Sequence, residues 1–96
     1  MVIGVLQVEL SIGGARSLKD KRKVAAGLKD RLHRHHQVSV AEVGSLDDHR
    51  VAVLGIAMAS SSVPPCQSTL DRVLDKVRLQ RGYVVNDHTT EIITGQ

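Results

Sequence analysis

Residues 2–36 read VIGVLQVELSIGGARSLKDKRKVAAGLKDRLHRHH, and a change of period inside this stretch decides the fold. Over residues 2–12, apolar and polar side chains alternate as in a β-strand, and Ile3 and Val5 make its start apolar on both faces, as in a central strand. Gly13 and Gly14 end the alternation. From Leu18 to about His36 the apolar residues recur at the spacing of an α-helix. The stretch therefore predicts a strand, a turn and a helix.

The remaining sequence predicts the same kinds of element in a second set. Residues 38–43 and 50–59 are apolar stretches separated by a turn at 44–48, which indicates two strands. Serines 60–62 followed by Pro64 and Pro65 are typical of a helix start, and Gly82 is predicted to close that helix. Residues 84–94 are rich in valine, threonine and isoleucine, which predicts a last strand. The order β-α-β-β-α-β predicts one α+β domain over residues 1–96, a ferredoxin-like sandwich with two helices on one face of a four-stranded antiparallel sheet.

The composition restricts the class of protein. The 96 residues are enough for one domain with one core, and no apolar run approaches the ~20 residues of a membrane span. The single cysteine, Cys66, has no partner for an internal disulfide, and the N-terminal residues lack the basic region of a signal peptide. We therefore predict a cytoplasmic protein that does not bind a membrane, with Cys66 buried and inert.

The positive charge is concentrated in one element. Eight of the thirteen lysines and arginines lie between Arg16 and Arg34, with only Asp20 and Asp30 as acids there. Cations at the N-terminal end of a helix oppose its macrodipole, so their clustering indicates an anionic partner. The predicted anion- or nucleic-acid-binding residues are Arg16, Lys19, Lys21, Arg22, Lys23 and Lys29. The alternative is that these long side chains cover apolar surface while their charged ends stay in water.

Two details of this segment lead to separate predictions. At 100° per residue, Lys21 falls inside the apolar stripe, so it either extends out to solvent or pairs with an acid at the sheet edge, Glu9 or Glu42. The turn before the helix, with Gly13, Gly14 and the N-cap candidate Ser17, is a candidate site for a small anion, because helix N-termini offer free N–H groups.

The chain resembles the YlxP-like family, a bacterial family of unknown function with a ferredoxin-like fold. The resemblance rests on residues 4–32, GVLQVELSIGGARSLKDKRKVAAGLKDRL, on VSVAEVG and AVLGIAMAS farther along, and on the closing pair Glu91-Ile92. The family motif Ser-Leu-Lys-acid-Lys-Arg is matched at residues 17–22, whereas the asparagine-aromatic pattern of some members is absent. Family members are often encoded beside transcription and translation factors, including a ribosome-binding factor. The resemblance thus implies an RNA or ribosome context by association, and it brings no known activity with it.

RNA or the ribosome is therefore the predicted partner, and the composition restricts how it is bound. The chain has no Phe and no Trp, and Tyr83 is its only aromatic residue, so the base-stacking surface of common sheet-based RNA readers is missing. Contact would run through phosphates and the basic helix. The alternative prediction is a module that binds an acidic protein or a small anion at the turn 13–18.

Other functions find less support in the sequence. Small phosphatases of this fold use an arginine after the first strand and a nearby asparagine, for which Arg16 and Asn86 are the candidates, but the glycines here precede the arginine. His33, His35, His36 and His49 have no acid or thiolate in line with them and are predicted to be solvated. We predict no catalytic constellation, no cofactor and no metal. Apolar residues on both faces of strand one, Ile3 and Val5 among them, predict a homodimer through the open sheet face.

Overall fold

A computed structural model describes residues 1–95 and confirms the predicted order of elements. The strands and helices are β1 (Val2–Ser11), α1 (Leu18–His35), β2 (Ser39–Gly44), β3 (Val51–Ser60), α2 (Val63–Arg78) and β4 (Val84–Thr94). The strands form one sheet in the order β2-β3-β1-β4, and every neighbouring pair is antiparallel. The fold is the ferredoxin-like α+β sandwich that the sequence predicts.

The central position of β1 explains its two apolar faces. All ten residues of β1 pair with β3, from Val2 opposite Ser60 to Ser11 opposite Val51, and β4 pairs along its other side. Its even-numbered residues are buried under the helices, and its odd-numbered residues lie on the open face of the sheet. The core between sheet and helices is aliphatic. The helices contribute to it Leu28, Leu32, Cys66, Leu70, Val73 and Val77.

Gly4 in β1 permits the close approach of α2. A Cβ atom at this position would lie 2.5 Å from the Cys66 sulfur and 2.8 Å from a methyl group of Leu70. The absence of a side chain therefore fixes how near the helix packs to the sheet. Cys66 is fully buried at this contact, which confirms the predicted buried thiol.

The predicted end of α2 is wrong by a few residues. The helix ends at Arg78, and Leu79 closes it in a right-handed conformation with its N–H directed at the carbonyls of the last turn. Gly82 lies beyond the helix, with a φ of 99°, in the turn that leads into β4. Its left-handed conformation therefore serves the approach to the strand rather than the helix cap. At the helix start, Ser62 occupies the predicted N-cap position, although its side chain makes no capping bond.

Within residues 1–95, neither helix is long and apolar enough to cross a membrane.

Candidate functional site

The N-terminal end of α1 is held by its own side chains. Ser17 is the N-cap residue, and its hydroxyl oxygen accepts a hydrogen bond from the Asp20 N–H at 3.1 Å. The Asp20 carboxylate in turn accepts from the N–H of Arg16 at 2.9 Å. This is the predicted capping arrangement, except that the aspartate reaches the residue before the cap. A carboxylate thus already lies at the positive end of the helix, which weighs against a small anion in the turn.

The two glycines of the turn are not required by the fold. Gly13 and Gly14 are exposed, neither has a positive φ, and an added Cβ would meet no atom within 4 Å at either position. The turn itself is closed by the backbone, with the Ala15 N–H donating to the carbonyl of Ile12. Open space at both positions leaves the turn accessible from solvent.

Lys21 is fully buried, with 0% of its surface exposed. Its ammonium nitrogen lies 2.7 Å from Oε1 of Glu42 in β2. It also donates to the carbonyl oxygen of Ser45 at 2.8 Å and to that of Val51 at 3.1 Å. The contact with Glu42 is a charge pair outside hydrogen-bonding alignment, because Oε1 has no aligned donor in the described residues. The ammonium therefore has three oxygen neighbours and ties α1 to β2 and to the turn that joins β2 to β3.

The assignment of Lys21 to an anion-binding surface is therefore wrong. Its position in the apolar stripe places it under the helix, where no RNA or protein can reach it. The competing prediction for this residue, pairing with an acid at the sheet edge, is confirmed, and Glu42 is that acid. Lys21 therefore stabilises the fold rather than binding a partner.

The other five predicted cations lie together on the solvent side of the turn and helix. We call this surface the basic face; it comprises Arg16, Lys19, Arg22, Lys23 and Lys29. All five are exposed. Among residues 1–95, none of them has a carboxylate oxygen within the 4.0 Å that defines an ion pair, since Lys21–Glu42 is the one such pair there. The positive charge of the basic face is thus not neutralised by direct contacts within the described chain.

Part of the basic face borders a shallow cleft between α1 and the edge strand β2. The cleft has a volume of about 190 Å³. Arg22 and Lys29 lie on its helix side, Glu42 lies on its strand side, and Val40 and Leu54 are among its apolar lining. Two cations beside an apolar floor and a sheet edge form a surface that suits a partner with both apolar and acidic groups.

The open face of the sheet is divided into an apolar and a polar end. Ile3 pairs with Ile93, which is 46% exposed, and Val43 on β2 is 52% exposed. A cleft of about 260 Å³ lies across β2, β3 and β1, lined almost wholly by apolar groups that include Val5 and Ala57. At the polar end, the Asn86 amide donates to the Ser11 hydroxyl at 2.6 Å and to the Glu9 carboxylate at 3.4 Å. Asn86, one of the two phosphatase candidates, is thus engaged on the sheet.

The predicted solvated histidines divide into two groups. His33 and His35 are exposed, whereas His49 and His36 are partly buried. His36 is the C-cap residue of α1, and its Nε2 atom is enclosed and has no hydrogen-bond partner among residues 1–95. The prediction is therefore wrong for His36. Burial lowers the pKa of His36, and the positive charges of Lys76, Arg72 and His35 lower it further. Within residues 1–95, no group of three or more His, Cys, Asp or Glu residues is placed to hold a metal ion.

The sequence analysis missed the neighbourhood of His36. Arg72 and Lys76 belong to α2, some forty residues away along the chain, and nothing in the local sequence pattern connects them with the end of α1. Only the packing of α2 beside the end of α1 brings these charges near His36.

Tyr83, the single aromatic residue, is a structural residue. It is partly buried, and its hydroxyl donates to the carbonyl of Val77 near the end of α2. Burial raises the pKa of Tyr83 to about 12, and the nearby Arg31 guanidinium opposes part of this rise. The ring is thus engaged between α2 and β4 and does not form a stacking surface.

The fold and the basic face together define a small ferredoxin-like α+β domain with a cationic first helix. Residues 3–90 match the family described as Protein of unknown function (DUF503), and the chain belongs to this family. It is 37% identical over 73 residues to the uncharacterized protein YlxP of Bacillus subtilis (strain 168), an alignment that covers 76% of this chain and 79% of that protein. The resemblance inferred from the residues 17–22 motif and its neighbours is confirmed.

Proposed function

We propose that this protein is a non-enzymatic RNA-binding protein whose basic face contacts structured RNA or the ribosome. The observation that carries the proposal is the contrast in pairing, because Lys21 is neutralised inside the chain while five exposed cations beside it have no carboxylate partner among residues 1–95. Lys19, the cation of the basic face that lies in the first turn of α1, costs about 0.3–1 kcal/mol through the macrodipole, and a polyanion would offset that cost. The proposal implies a cytoplasmic location.

Contact with phosphates rather than bases is the mode that fits the surface. The chain has no Phe or Trp and a single, partly buried Tyr83, so it lacks the two or three aromatic rings on which sheet-based RNA readers stack bases. Lysine and arginine bind backbone phosphates without reading sequence, so recognition would depend on the shape of the RNA. Binding would then weaken steeply as salt rises.

A second copy of the chain is the proposed partner for the open sheet face. Val43 and Ile93 leave about half of their surfaces exposed, and the adjacent cleft at Val5 is almost wholly apolar. Apolar surface gathered on one face of a small domain is typical of an interface. Sedimentation at increasing concentration tests the dimer, with Val5→Lys expected to give a monomer and Ala26→Lys, on the outer side of α1, expected to leave the dimer intact.

A module that binds an acidic segment of another protein is the alternative function. The cleft beside β2 supports it, since Arg22 and Lys29 flank an apolar floor at a sheet edge where a further strand can add. The sequence also predicts an anion site in the turn at Gly13, Gly14 and Ser17. The Asp20 carboxylate disfavours that site, because it lies at the same helix end and repels an anion there.

Fluorescence anisotropy with a labelled RNA hairpin tests the RNA proposal. The test variant removes three charges of the basic face, Lys19→Gln, Arg22→Gln and Lys23→Gln. The control removes three exposed charges elsewhere, Arg50→Gln, Arg78→Gln and Arg81→Gln. Loss of three phosphate contacts is expected to weaken binding roughly tenfold or more at moderate salt, whereas the control should change it far less. Equal losses in both variants would show binding driven only by net charge, and no binding by the unaltered protein would end the proposal.

A further inference from the structure

The sheet ends on one side at β2, whose outer edge is open in the part of the chain that the structure describes. The strand pairs with β3 alone, because the strand order is β2-β3-β1-β4. Every second residue of such an edge strand directs its N–H and carbonyl groups away from the sheet, so β2 offers backbone donors and acceptors to a partner. A further strand can therefore add there.

The edge of β2 carries little protection against strand addition. Natural edge strands discourage pairing with lysine, proline, charged side chains or bulges. β2 has the sequence SVAEVG, with no lysine, arginine or proline, and its one charge, Glu42, pairs with Lys21. A register shift after Glu42 limits regular pairing to residues 39–42. The other edge strand, β4, has an irregular register as well as the exposed acids Asp87 and Glu91, so β2 is the less protected edge.

The cleft beside this edge is cationic on balance. Arg22 and Lys29 of α1 line it, and both are exposed without a carboxylate within ion-pair distance among residues 1–95. Glu42 is the one acid among the lining residues, and the ammonium nitrogen of the buried Lys21 lies 2.7 Å from its Oε1 atom. Because Lys21 neutralises Glu42, this carboxylate does not cancel the two cations. The buried lysine thus keeps the cleft attractive to an acidic ligand.

The spacing of the two cations selects the pattern of an added strand. Arg22 and Lys29 are seven residues apart on α1, which is about 10.5 Å along the helix axis. Side chains on one face of an extended strand recur about every 6.8 Å, so the first and third of them are about 13.6 Å apart. The long side chains of arginine and lysine can span the difference. An acid-x-apolar-x-acid sequence would place its acids at the two cations and its apolar residue over the lining at Ala26 and Val40.

We propose that the free edge of β2 binds an extended acidic segment of another protein as a fifth strand, with the carboxylates of that segment at Arg22 and Lys29. The open backbone of β2 sets the mode of binding, and the two cations beside it set the acidic character of the partner. This inference develops the alternative function. Its consequence for RNA rests on the RNA proposal: the bound segment covers Arg22 and Lys29 and therefore competes with RNA for the basic face.

NMR titration of the full-length protein with a synthetic peptide tests the mode of binding. The peptide acetyl-Thr-Glu-Thr-Val-Thr-Glu-Thr-amide has the acid-x-apolar-x-acid pattern on one face and residues that favour an extended strand on the other. The expected result is a shift of the amide signals of residues 39–42, with slower hydrogen exchange of the amides directed outward. Two copies N-methylated either at the threonines or at the remaining residues should differ in affinity, because only one set of N–H groups faces β2. Glutamine in place of both glutamates should weaken binding roughly tenfold.

Two pairs of substitutions on the basic face separate this site from RNA binding. Arg22→Gln with Lys29→Gln removes the cations of the cleft and should weaken peptide binding roughly tenfold. Lys19→Gln with Lys23→Gln removes two cations that do not line the cleft and should leave peptide binding nearly unchanged. Both pairs should weaken RNA binding alike, since each removes two phosphate contacts. Saturating peptide should also weaken RNA binding by the unaltered protein.

The outcomes distinguish failure of the added strand from failure of RNA binding. Peptide binding at residues 39–42 without RNA binding would support the added strand and end the RNA proposal. RNA binding without a shift at residues 39–42 at millimolar peptide would overturn the added strand. Shifts there on concentrating the protein alone would assign the edge to a second copy, and equal losses of peptide binding in the two pairs of variants would reduce the effect to net charge; either result overturns the proposal. RNA affinity unaffected by saturating peptide would overturn the competition.

Discussion

The inner and outer sides of the first half of α1 both carry basic side chains, but only the charge on the inner side is neutralised within the described chain. On the inner side, Lys21 is fully buried and has three oxygen neighbours, one of them the Glu42 carboxylate. On the outer side, Arg22 and Lys23, its next neighbours in sequence, are exposed and have no carboxylate within ion-pair distance among residues 1–95. A run of basic residues is therefore not one functional unit, because the helical period divides it between stability and surface.

The largest effect is expected on the inner side, from Lys21→Ala. Removal of one partner from a buried charge pair leaves the Glu42 carboxylate without its counter-charge and two carbonyls without their donor, which costs about 3–5 kcal/mol of unfolding free energy. Urea denaturation measures this loss. Arg22→Ala on the outer side is the matched control, and its expected effect lies within about 0.5 kcal/mol.

A double substitution sharpens the same comparison. Lys21→Met with Glu42→Leu removes both charges and keeps most of the volume, so much of the stability lost in Lys21→Ala should return. The carbonyls of Ser45 and Val51 still lose their donor, so the recovery should be incomplete. If Lys21→Met alone were as stable as the unaltered protein, the buried pair would contribute nothing to the free energy of unfolding.

A smaller effect of opposite sign is expected in the turn before α1. Gly13→Ala and Gly14→Ala place a methyl group in open space at positions without a positive φ. Such changes stabilise a protein by about 0.4–1 kcal/mol by restricting the unfolded chain. Gly4→Ala, where the added Cβ would meet Cys66 and Leu70, should destabilise it, and the same denaturation experiment distinguishes the two outcomes. Destabilisation at residues 13 and 14 would show that the turn needs its glycines after all.

The macrodipole predicts a similarly small gain on the outer side. Lys19→Glu replaces a cation by an anion in the first turn of α1, which should raise the unfolding free energy by about 0.3–1 kcal/mol at low salt. Lys29→Glu makes the same change in the middle of the helix and should gain less. Added salt should reduce the difference between the two variants. Equal gains would mean that net charge, rather than the helix end, sets the cost.

The smallest effect concerns pH and His36. Its pKa is lowered in the folded state from the ordinary 6.5, so below that pH the unfolded chain binds more protons than the folded one. Stability should therefore fall as pH drops through this range, and it should fall less in His36→Gln than in the unaltered protein. The exposed His33, substituted in the same way, should not change the slope.

Much of the structure on the inner side of α1 could be predicted from the sequence, because it follows from the spacing of apolar residues. The strand and helix periods predict the order of elements and place Lys21 in the apolar stripe. They do not choose between Glu9 and Glu42, because that choice depends on strand order. In the sheet, Glu9 lies on the open face of the central strand, whereas Glu42 lies on an edge strand opposite the buried Leu54 and within reach of α1. The surroundings of His36 could not be predicted, since they depend on the packing of two helices far apart in sequence.

The salt dependence of RNA binding is the most direct test of the account. The logarithm of the association constant against the logarithm of salt concentration should fall with a slope of about −4 if most of the basic face contacts phosphates. Arg22→Gln and Lys23→Gln should each reduce the magnitude of that slope by about 0.9, and Lys21→Met should leave it unchanged in molecules that remain folded. A slope near zero, or one that responds to Lys21 and not to its two neighbours, would contradict the division of the helix into a structural side and a binding side.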